Sequence, residues 1–88
     1  MASYNVILQP SVEKDLRALP TSVRKRVFKR IEALADGPFP HGSLKLAGAE
    51  QLYRIRVGEY RIVYAVAGGS RHVTVYYVRH RRDVYRSL

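Results

Sequence analysis

One stretch of the chain, residues 52–64 (LYRIRVGEYRIVY), constrains the fold more than any other. Apolar or aromatic side chains alternate with arginine on both sides of Gly58-Glu59, as in half-buried strands joined by a two-residue turn with glycine first. Because directly opposed residues in a hairpin share a face, this turn predicts three pairs: Val57 with Tyr60, Arg56 with Arg61, and Ile55 with Ile62.

The two faces of this predicted hairpin differ in chemistry. The apolar face is expected to join the core, and it consists of Tyr53, Ile55, Val57, Tyr60, Ile62 and Tyr64. The other face brings Arg54, Arg56 and Arg61 together, although opposed like charges destabilise a sheet. Guanidinium groups bind phosphate through paired hydrogen bonds, so this face predicts an anion-binding site. A solvated surface that keeps the protein soluble is the alternative.

The charge of the chain also indicates an acidic partner. Its 88 residues carry a formal net charge of +9, which favours nucleic acid, an anionic membrane surface or an acidic protein. Length and even composition predict one domain over residues 1–88. With no cysteine, no signal peptide and no apolar run of the roughly 18 residues in a membrane span, we expect a cytoplasmic protein. Three scattered histidines predict neither a metal site nor a cofactor.

Two helices are predicted before the hairpin. The first begins with Ser11 as its N-cap and ends at Pro20. The second, capped by Thr21 or Ser22, ends at Asp36-Gly37-Pro38. An apolar stripe at helical spacing should bury one face of each helix. The stripes comprise Val12, Leu16 and Leu19, then Val23, Val27, Ile31 and Leu34, widened by Phe28 and Ala35.

Short strands complete the predicted fold at Tyr4–Leu8, Leu44–Leu46 and His72–Val78. The fold class is therefore α+β, with an N-terminal strand, a two-helix antiparallel hairpin and three to four mainly antiparallel strands. If Gly68-Gly69 is the last turn, Val73, Val75 and Tyr77 join the core face. The expected pairs are then Val73 with Tyr64, Val75 with Ile62, and Tyr76 with Arg61.

The second helix presents another basic surface, comprising Arg24, Lys25, Arg26, Lys29 and Arg30. A solvated face is the default interpretation of such a run, and a contact with backbone phosphate or an acidic protein is the functional one.

Cleavage of RNA by its own 2′-hydroxyl needs a base, an acid and charge stabilisation at phosphorus. Arginine suits only the last task. The proton-transfer candidates are His80 and Tyr85, because neighbouring cations lower a tyrosine pKa; alternatively, His80 is a plain surface residue and Tyr85 packs on the sheet edge.

The central hairpin, together with KLAG at 45–48 and VRHRRDVYR at 78–86, strongly resembles the RelE-type toxins of the RelE/ParE superfamily. The resemblance covers essentially the whole chain. It implies a microbial-ribonuclease-like fold and a metal-independent endoribonuclease that cleaves mRNA in the ribosomal A site. It also implies a cognate, RelB-like antitoxin, which we expect to displace or occlude the C-terminal tail.

Site residues follow from the same resemblance, position by position. Arg61 and Arg81 match arginines that stabilise the cleaved phosphate, Tyr85 matches a tyrosine that stacks on substrate and takes part in proton transfer, and His80 matches a common histidine. Arg54 and Arg56 stand where well-known members carry lysines, so the base is left to His80, Tyr85 or solvent. The residues expected to contact RNA are Lys45, Arg54, Arg56, Tyr76, Arg79 and Arg82.

Two other functions remain open from the sequence. A ParE-like toxin would share the fold but inhibit DNA gyrase by binding it; such members usually lack the full arginine and tyrosine set. A non-catalytic basic module acting on nucleic acid with a partner would not need Tyr85.

Overall fold

A computed structural model describes residues 3–46 and 51–82 of the chain. Helices and strands follow the predicted order, and each boundary lies within a few residues of expectation. The elements are β1 (Asn5–Leu8), α1 (Pro10–Arg17), α2 (Thr21–Ala33), β2 (Leu44–Lys45), β3 (Leu52–Val57), β4 (Tyr60–Ala67) and β5 (His72–His80).

The strands form one sheet in the order β1-β5-β4-β3-β2. Strands β2 to β5 are antiparallel neighbours, as the succession of short turns predicts. Strand β1 lies parallel to β5, with Asn5 beside His72 and Leu8 beside Val75. The two helices lie between β1 and β2 in the chain and pack on one face, which confirms the α+β class.

The central hairpin has the predicted register. Val57 pairs with Tyr60, Arg56 with Arg61, and Ile55 with Ile62. Gly58 has a φ of 58°, a left-handed conformation that glycine adopts without the penalty of a Cβ atom. The turn therefore fixes which residues face the helices and which face away.

The predicted register between β4 and β5 is wrong. The turn spans residues 68–71 rather than Gly68-Gly69 alone, because Ala67 pairs with His72 and Arg71 has a φ of 55°. A β-bulge then places Tyr76 as an extra residue, so that the face assignment changes beyond it. The observed pairs are Tyr64 with Val75, Val63 with Tyr77, Ile62 with Val78, and Arg61 with Arg79.

The helix starts differ from the predicted caps. Gln9 is the N-cap of α1, and Ser11 lies inside the helix. Pro20 is the N-cap of α2, and its carbonyl accepts from the Arg24 backbone N–H at 2.8 Å. Neither helix has a side-chain cap, and in both a proline at or just before the first helical position fixes a φ suited to the helix start. Within the described ranges, neither helix is long and apolar enough to cross a membrane.

The core lies between the helices and the predicted apolar face of the sheet. It contains the first helical stripe and Val27, Ile31 and Leu34 of the second, with Val23 partly buried against them. Phe28 is 46% exposed and does not widen this stripe, contrary to the prediction. It lies beside Leu8 at the outer side of the helices.

Helix α1 also protects the edge of β5 beyond the point where β1 ends. The Gln9 N–H donates to the Val75 carbonyl at 3.1 Å, and Ser11 Oγ donates to the Tyr76 carbonyl at 3.0 Å. The Val78 N–H donates to Asp15 Oδ2 at 3.1 Å. These bonds satisfy backbone groups that would otherwise form an unpaired sheet edge. Ser11 therefore has a structural task other than capping.

Candidate nucleic-acid interface

The face of the sheet away from the helices carries three arginines in one row. Arg56, Arg61 and Arg79 occupy opposed positions on β3, β4 and β5. Directly opposed residues have Cα atoms only about 4.5–5.5 Å apart. We call this set the arginine row. Arg79 takes the position that the sequence analysis gave to Tyr76, which raises the positive charge beside Arg61.

Arg61 lies at the centre of the row and is only 5% exposed. Its Nη1 atom donates to the carbonyls of Gly58 and Tyr60, both at 3.1 Å, so the guanidinium folds back over the hairpin turn. Its Nε is buried and has no hydrogen-bond partner among the described residues. A buried donor in that state costs about 1–3 kcal/mol, and a ligand oxygen that reached it would recover this cost.

Arg79 is held from two sides. Its Nε lies 3.9 Å from Asp15 Oδ2, and its guanidinium carbon lies 5.1 Å from the centre of the Tyr77 ring. Asp15 also accepts from the Val78 N–H, so one carboxylate contacts both the strand and its arginine. Helix α1 therefore helps to orient Arg79, the member of the arginine row on β5.

Tyr77 and Arg54 lie in the next row on the same face, on either side of Val63. Burial raises the pKa of the Tyr77 hydroxyl above its ordinary value, and the neighbouring Arg79 partly opposes this shift. Tyr77 is therefore neutral at physiological pH and is suited to donate a hydrogen bond or to stack, rather than to accept a proton as a base.

His80 lies on the opposite face from the arginine row. It pairs with Tyr60, and the two rings meet edge-to-face at 5.5 Å between centroids. Its Nδ1 accepts from the Arg82 backbone N–H at 3.3 Å. Strand alternation thus separates this candidate for proton transfer from Arg61 and Arg79.

Arg81 contacts the hairpin turn. Its Nε lies 3.2 Å from Glu59 Oε2, and its backbone N–H donates to the Glu59 carbonyl at 2.8 Å. Both side chains are exposed, so the ion pair itself contributes little stability. The contact nevertheless fixes the backbone after β5 next to the turn over which Arg61 folds. Arg82 is exposed beside it.

The other residues expected to contact RNA are dispersed. Lys45 pairs with Tyr53 and so lies on the helix-covered side of the sheet, whereas Leu44 pairs with Arg54 on the open side. Tyr76 is exposed at the bulge rather than opposite Arg61. Tyr85, and the Ala47 and Gly48 of the KLAG segment, lie outside the described residues.

Sequence reasoning assigned Tyr77 to the core face and so missed it on the open face, and it named Arg79 as an RNA contact without predicting its position opposite Arg61. The bulge brings Tyr77 to this face and places Arg79 opposite Arg61. The sequence carries no clear signal for it, because a strand with adjacent tyrosines reads equally well in either register. Among the residues that the structure describes, no group of three or more histidine, aspartate or glutamate side chains is arranged to hold a metal ion.

Comparison with known proteins identifies the family. Residues 6–85 match the sequence profile described as "ParE toxin of type II toxin-antitoxin system, parDE". A curated relative, the putative toxin RelE1 of Methanocaldococcus jannaschii, is 31% identical and aligns over 96% of this chain and 97% of its own length. The chain belongs to the ParE toxin family. This toxin is therefore a RelE-like member of a type II toxin–antitoxin system.

Solved structures agree with this toxin in fold. RelE in the RelE–RelB complex of Pyrococcus horikoshii superimposes with a TM-score of 0.80 at 28% identity, covering 90% of this chain and 96% of that one. The isolated RelE toxin of E. coli gives a TM-score of 0.77 at 25% identity, covering 98% of this chain and all of the other. The predicted RelE-like fold is thus confirmed.

Proposed function

We propose that this toxin is a ribosome-dependent mRNA endoribonuclease that cleaves by attack of a 2′-hydroxyl on the adjacent phosphodiester. The observation that carries the proposal is the arginine row, with a nearly buried Arg61 whose Nε has no partner among the described residues. Such a row costs stability in the free protein. An oxyanion placed over it would reduce the repulsion between the three guanidinium groups.

In this mechanism the arginines stabilise charge as it develops on the phosphoryl oxygens. Arg61 supplies a guanidinium already fixed by the Gly58 and Tyr60 carbonyls, so little reorganisation is needed at the moment of reaction. Arg79 and Arg56 flank it and add positive potential. Arg81, joined to Glu59 at the same turn, is assigned to the substrate or product phosphate. The proposed chemistry calls on no metal and no cofactor.

Proton transfer requires a different residue type, because arginine stays protonated at relevant pH. His80 points to the helix-covered side and contacts Tyr60. Its position favours Tyr85 or solvent as the base over His80. Among the described residues, Tyr77 lies on the open face beside Arg79, where its ring could stack on a base of the bound RNA.

We further propose a RelB-like antitoxin as the partner that neutralises the toxin in the cytoplasm. Support comes from the relative in Pyrococcus horikoshii, which was solved as a RelE–RelB complex. An acidic antitoxin segment over the arginine row would offset the net charge of +9. We expect it to displace or occlude the C-terminal tail; a complex that left Arg61 and Tyr85 fully open would contradict this.

The test is primer extension on a translated mRNA after brief expression of the toxin. Cuts in phase with codons are expected for the wild-type protein. Arg61→Gln should reduce cutting by about 10²–10³-fold, which is the usual cost of removing one preorganised charge-stabilising donor. Arg17→Gln, which removes the same charge from an exposed site on α1, is the control and should cut normally. Equal loss in both variants would contradict a specific role for Arg61.

A ParE-like inhibitor of DNA gyrase is the second candidate. The family match itself favours it, since the matching profile describes a ParE toxin, and so does the separation of His80 from the arginine row. Growth arrest with intact mRNA, followed by loss of supercoiling by purified gyrase, would select this function. Neither arrest nor cuts would indicate a non-catalytic basic module.

A further inference from the structure

A second group of cations lies where α2 meets the outer side of β3. A cavity of about 280 Å³ is lined there by Arg26, Lys29, Arg30, Arg56, Val57 and Gly58. Three of its four charged side chains come from the basic face of α2, and the fourth is the β3 member of the arginine row. The fold thus connects two basic surfaces that are about 30 positions apart in the sequence.

The hairpin turn brings Arg26 into this cavity. A Cβ atom placed on Gly58 would lie 3.7 Å from Arg26 Nη2 and 3.8 Å from Nη1. The guanidinium therefore lies close to the side of the turn on which a Gly58 side chain would project. Because Arg61 folds over the Gly58 carbonyl, the same tight turn carries an arginine on each side, one from the sheet and one from the helix.

The charges in this cavity are not compensated within the described part of the chain. Arg79 lies near Asp15, and Arg81 pairs with Glu59. Arg24, on the same helix, donates to the carbonyls of Leu16 and Leu19. By contrast, no carboxylate of residues 3–46 or 51–82 forms an ion pair with any of the four cavity cations, which are Arg26, Lys29, Arg30 and Arg56.

Four converging cations focus a positive potential that attracts an anion. The cavity is near the lower end of the roughly 300–1,000 Å³ typical of small-molecule sites, which suits a phosphate group with its sugar. Three of the cations are arginines, which bind phosphate through paired hydrogen bonds. Since Arg56 also belongs to the arginine row, a polymer with one charge per unit can occupy both places.

We propose that Arg26, Lys29, Arg30 and Arg56 form a second phosphate-binding site, which holds the RNA backbone outside the linkage at the arginine row. The identity of the polymer as RNA rests on the proposed function. Apart from Arg56, which it shares with the arginine row, the site takes no part in bond cleavage. Its task is to hold the strand and to guide it around the tip of the β3–β4 hairpin.

The test compares two double variants that have the same net charge. Arg26→Gln/Lys29→Gln removes two cations from the cavity, whereas Lys14→Gln/Arg17→Gln removes one lysine and one arginine from exposed positions on α1. The probe is a fluorescent single-stranded oligouridylate carrying 2′-O-methyl groups, which lacks the attacking hydroxyl. Its affinity is measured by anisotropy at several salt concentrations, and circular dichroism checks that both variants fold.

Loss of one phosphate contact should reduce the magnitude of the slope of log affinity against log salt by about 0.7. This corresponds to about fivefold weaker binding at about 0.1 M salt. We expect that change in the cavity variant and a much smaller one in the control. Equal changes in both would mean that net charge alone binds the probe and would overturn the proposal. An unchanged slope in the cavity variant, with acidic peptides binding there instead, would also overturn it.

Failure of this site can be told apart from failure of the proposed function. The probe cannot be cleaved, so its binding does not depend on catalysis. A wild-type toxin that binds the probe through the cavity but leaves translated mRNA intact would support the site and contradict the nuclease. If the wild-type toxin cuts mRNA but the cavity variant keeps the full salt slope, the nuclease would be supported and the second phosphate site contradicted.

Discussion

The helix-covered and open faces of the sheet use the same strands but satisfy different physical demands. On the covered face, Ile62, Val73 and Val75 are fully buried and belong to the hydrophobic core. On the open face, the adjacent residue Arg61 is almost as buried, yet it stands between two other arginines, and its Nε has no hydrogen-bond partner in residues 3–46 and 51–82. Consecutive residues of one strand thus differ in role: Ile62 stabilises the fold, whereas Arg61 lies where like charges destabilise it. Such opposition is expected where a surface serves a ligand.

Replacing a core residue should give the largest effect and sharpen this contrast. Ile62→Ala is expected to lower the free energy of unfolding by about 2–5 kcal/mol, through lost burial and the cavity left behind. Urea denaturation measures it. Arg56→Ala, on the open face opposite Arg61, is the matched control and should leave stability unchanged or raise it, because it relieves repulsion. A large loss in the control would break the comparison.

Tyr64 gives a smaller effect on the covered side. Its hydroxyl donates to the Pro38 carbonyl at 2.7 Å, so Tyr64→Phe should cost about 1–2 kcal/mol by leaving that carbonyl unpaired. Burial raises the pKa of Tyr64 from 10.0 to about 12, with a hydrogen bond to Ser43 opposing the shift. The unfolded chain therefore releases this proton at lower pH than the folded protein. The associated stability is full below pH 10.0 and is lost as the pH rises towards about 12.

The phenylalanine variant should lack that alkaline loss. Denaturation curves of both proteins between neutral pH and pH 12 provide the measurement, and their difference cancels the titration of the other tyrosines and lysines. If the two curves stayed parallel through this range, the buried hydroxyl would not be the source of the pH dependence.

Replacing Asp15 should lower stability the least of these destabilising substitutions, because it removes only one hydrogen bond and one long ion pair at the edge of β5. Asp15→Ala removes the acceptor of the Val78 N–H and the carboxylate beside Arg79, and we expect a loss of about 1 kcal/mol in stability. Asp15→Asn keeps an acceptor oxygen and should lose less. Thermal unfolding of the pair separates the hydrogen bond from the charge; equal losses would assign the whole effect to the ion pair.

Local patterns in the sequence predict much of the fold. A two-residue turn sets the register of β3 against β4, so the pairing of Arg56 with Arg61 follows from counting residues away from Gly58. The helical stripes likewise predict the core positions of α1 and α2 from residue spacing alone. Phe28 is the exception: it lies beside Leu8 at the outer side of the helices and is exposed.

Features that depend on tertiary context could not be predicted in this way. The bulge at Tyr76 coincides with the place where β1 ends and α1 takes over the edge of β5, through Ser11 and Asp15. No local pattern specifies that exchange of partners. The positions of Arg79, Tyr77 and His80 all follow from it, and so the make-up of the candidate site was predicted less well than its location.

The parallel pairing of β1 with β5 also has a consequence for the order of folding. Asn5 lies in β1, the first described element, whereas its partner His72 begins β5, the last one. Closing so long a loop is entropically costly and slow compared with forming the central hairpin. The contacts of β1 and α1 with the sheet can therefore form only after β5 is present. Arg79 is part of that same strand. A nascent chain would have no complete arginine row, so we expect the toxin to become competent only when synthesis of its sheet has finished.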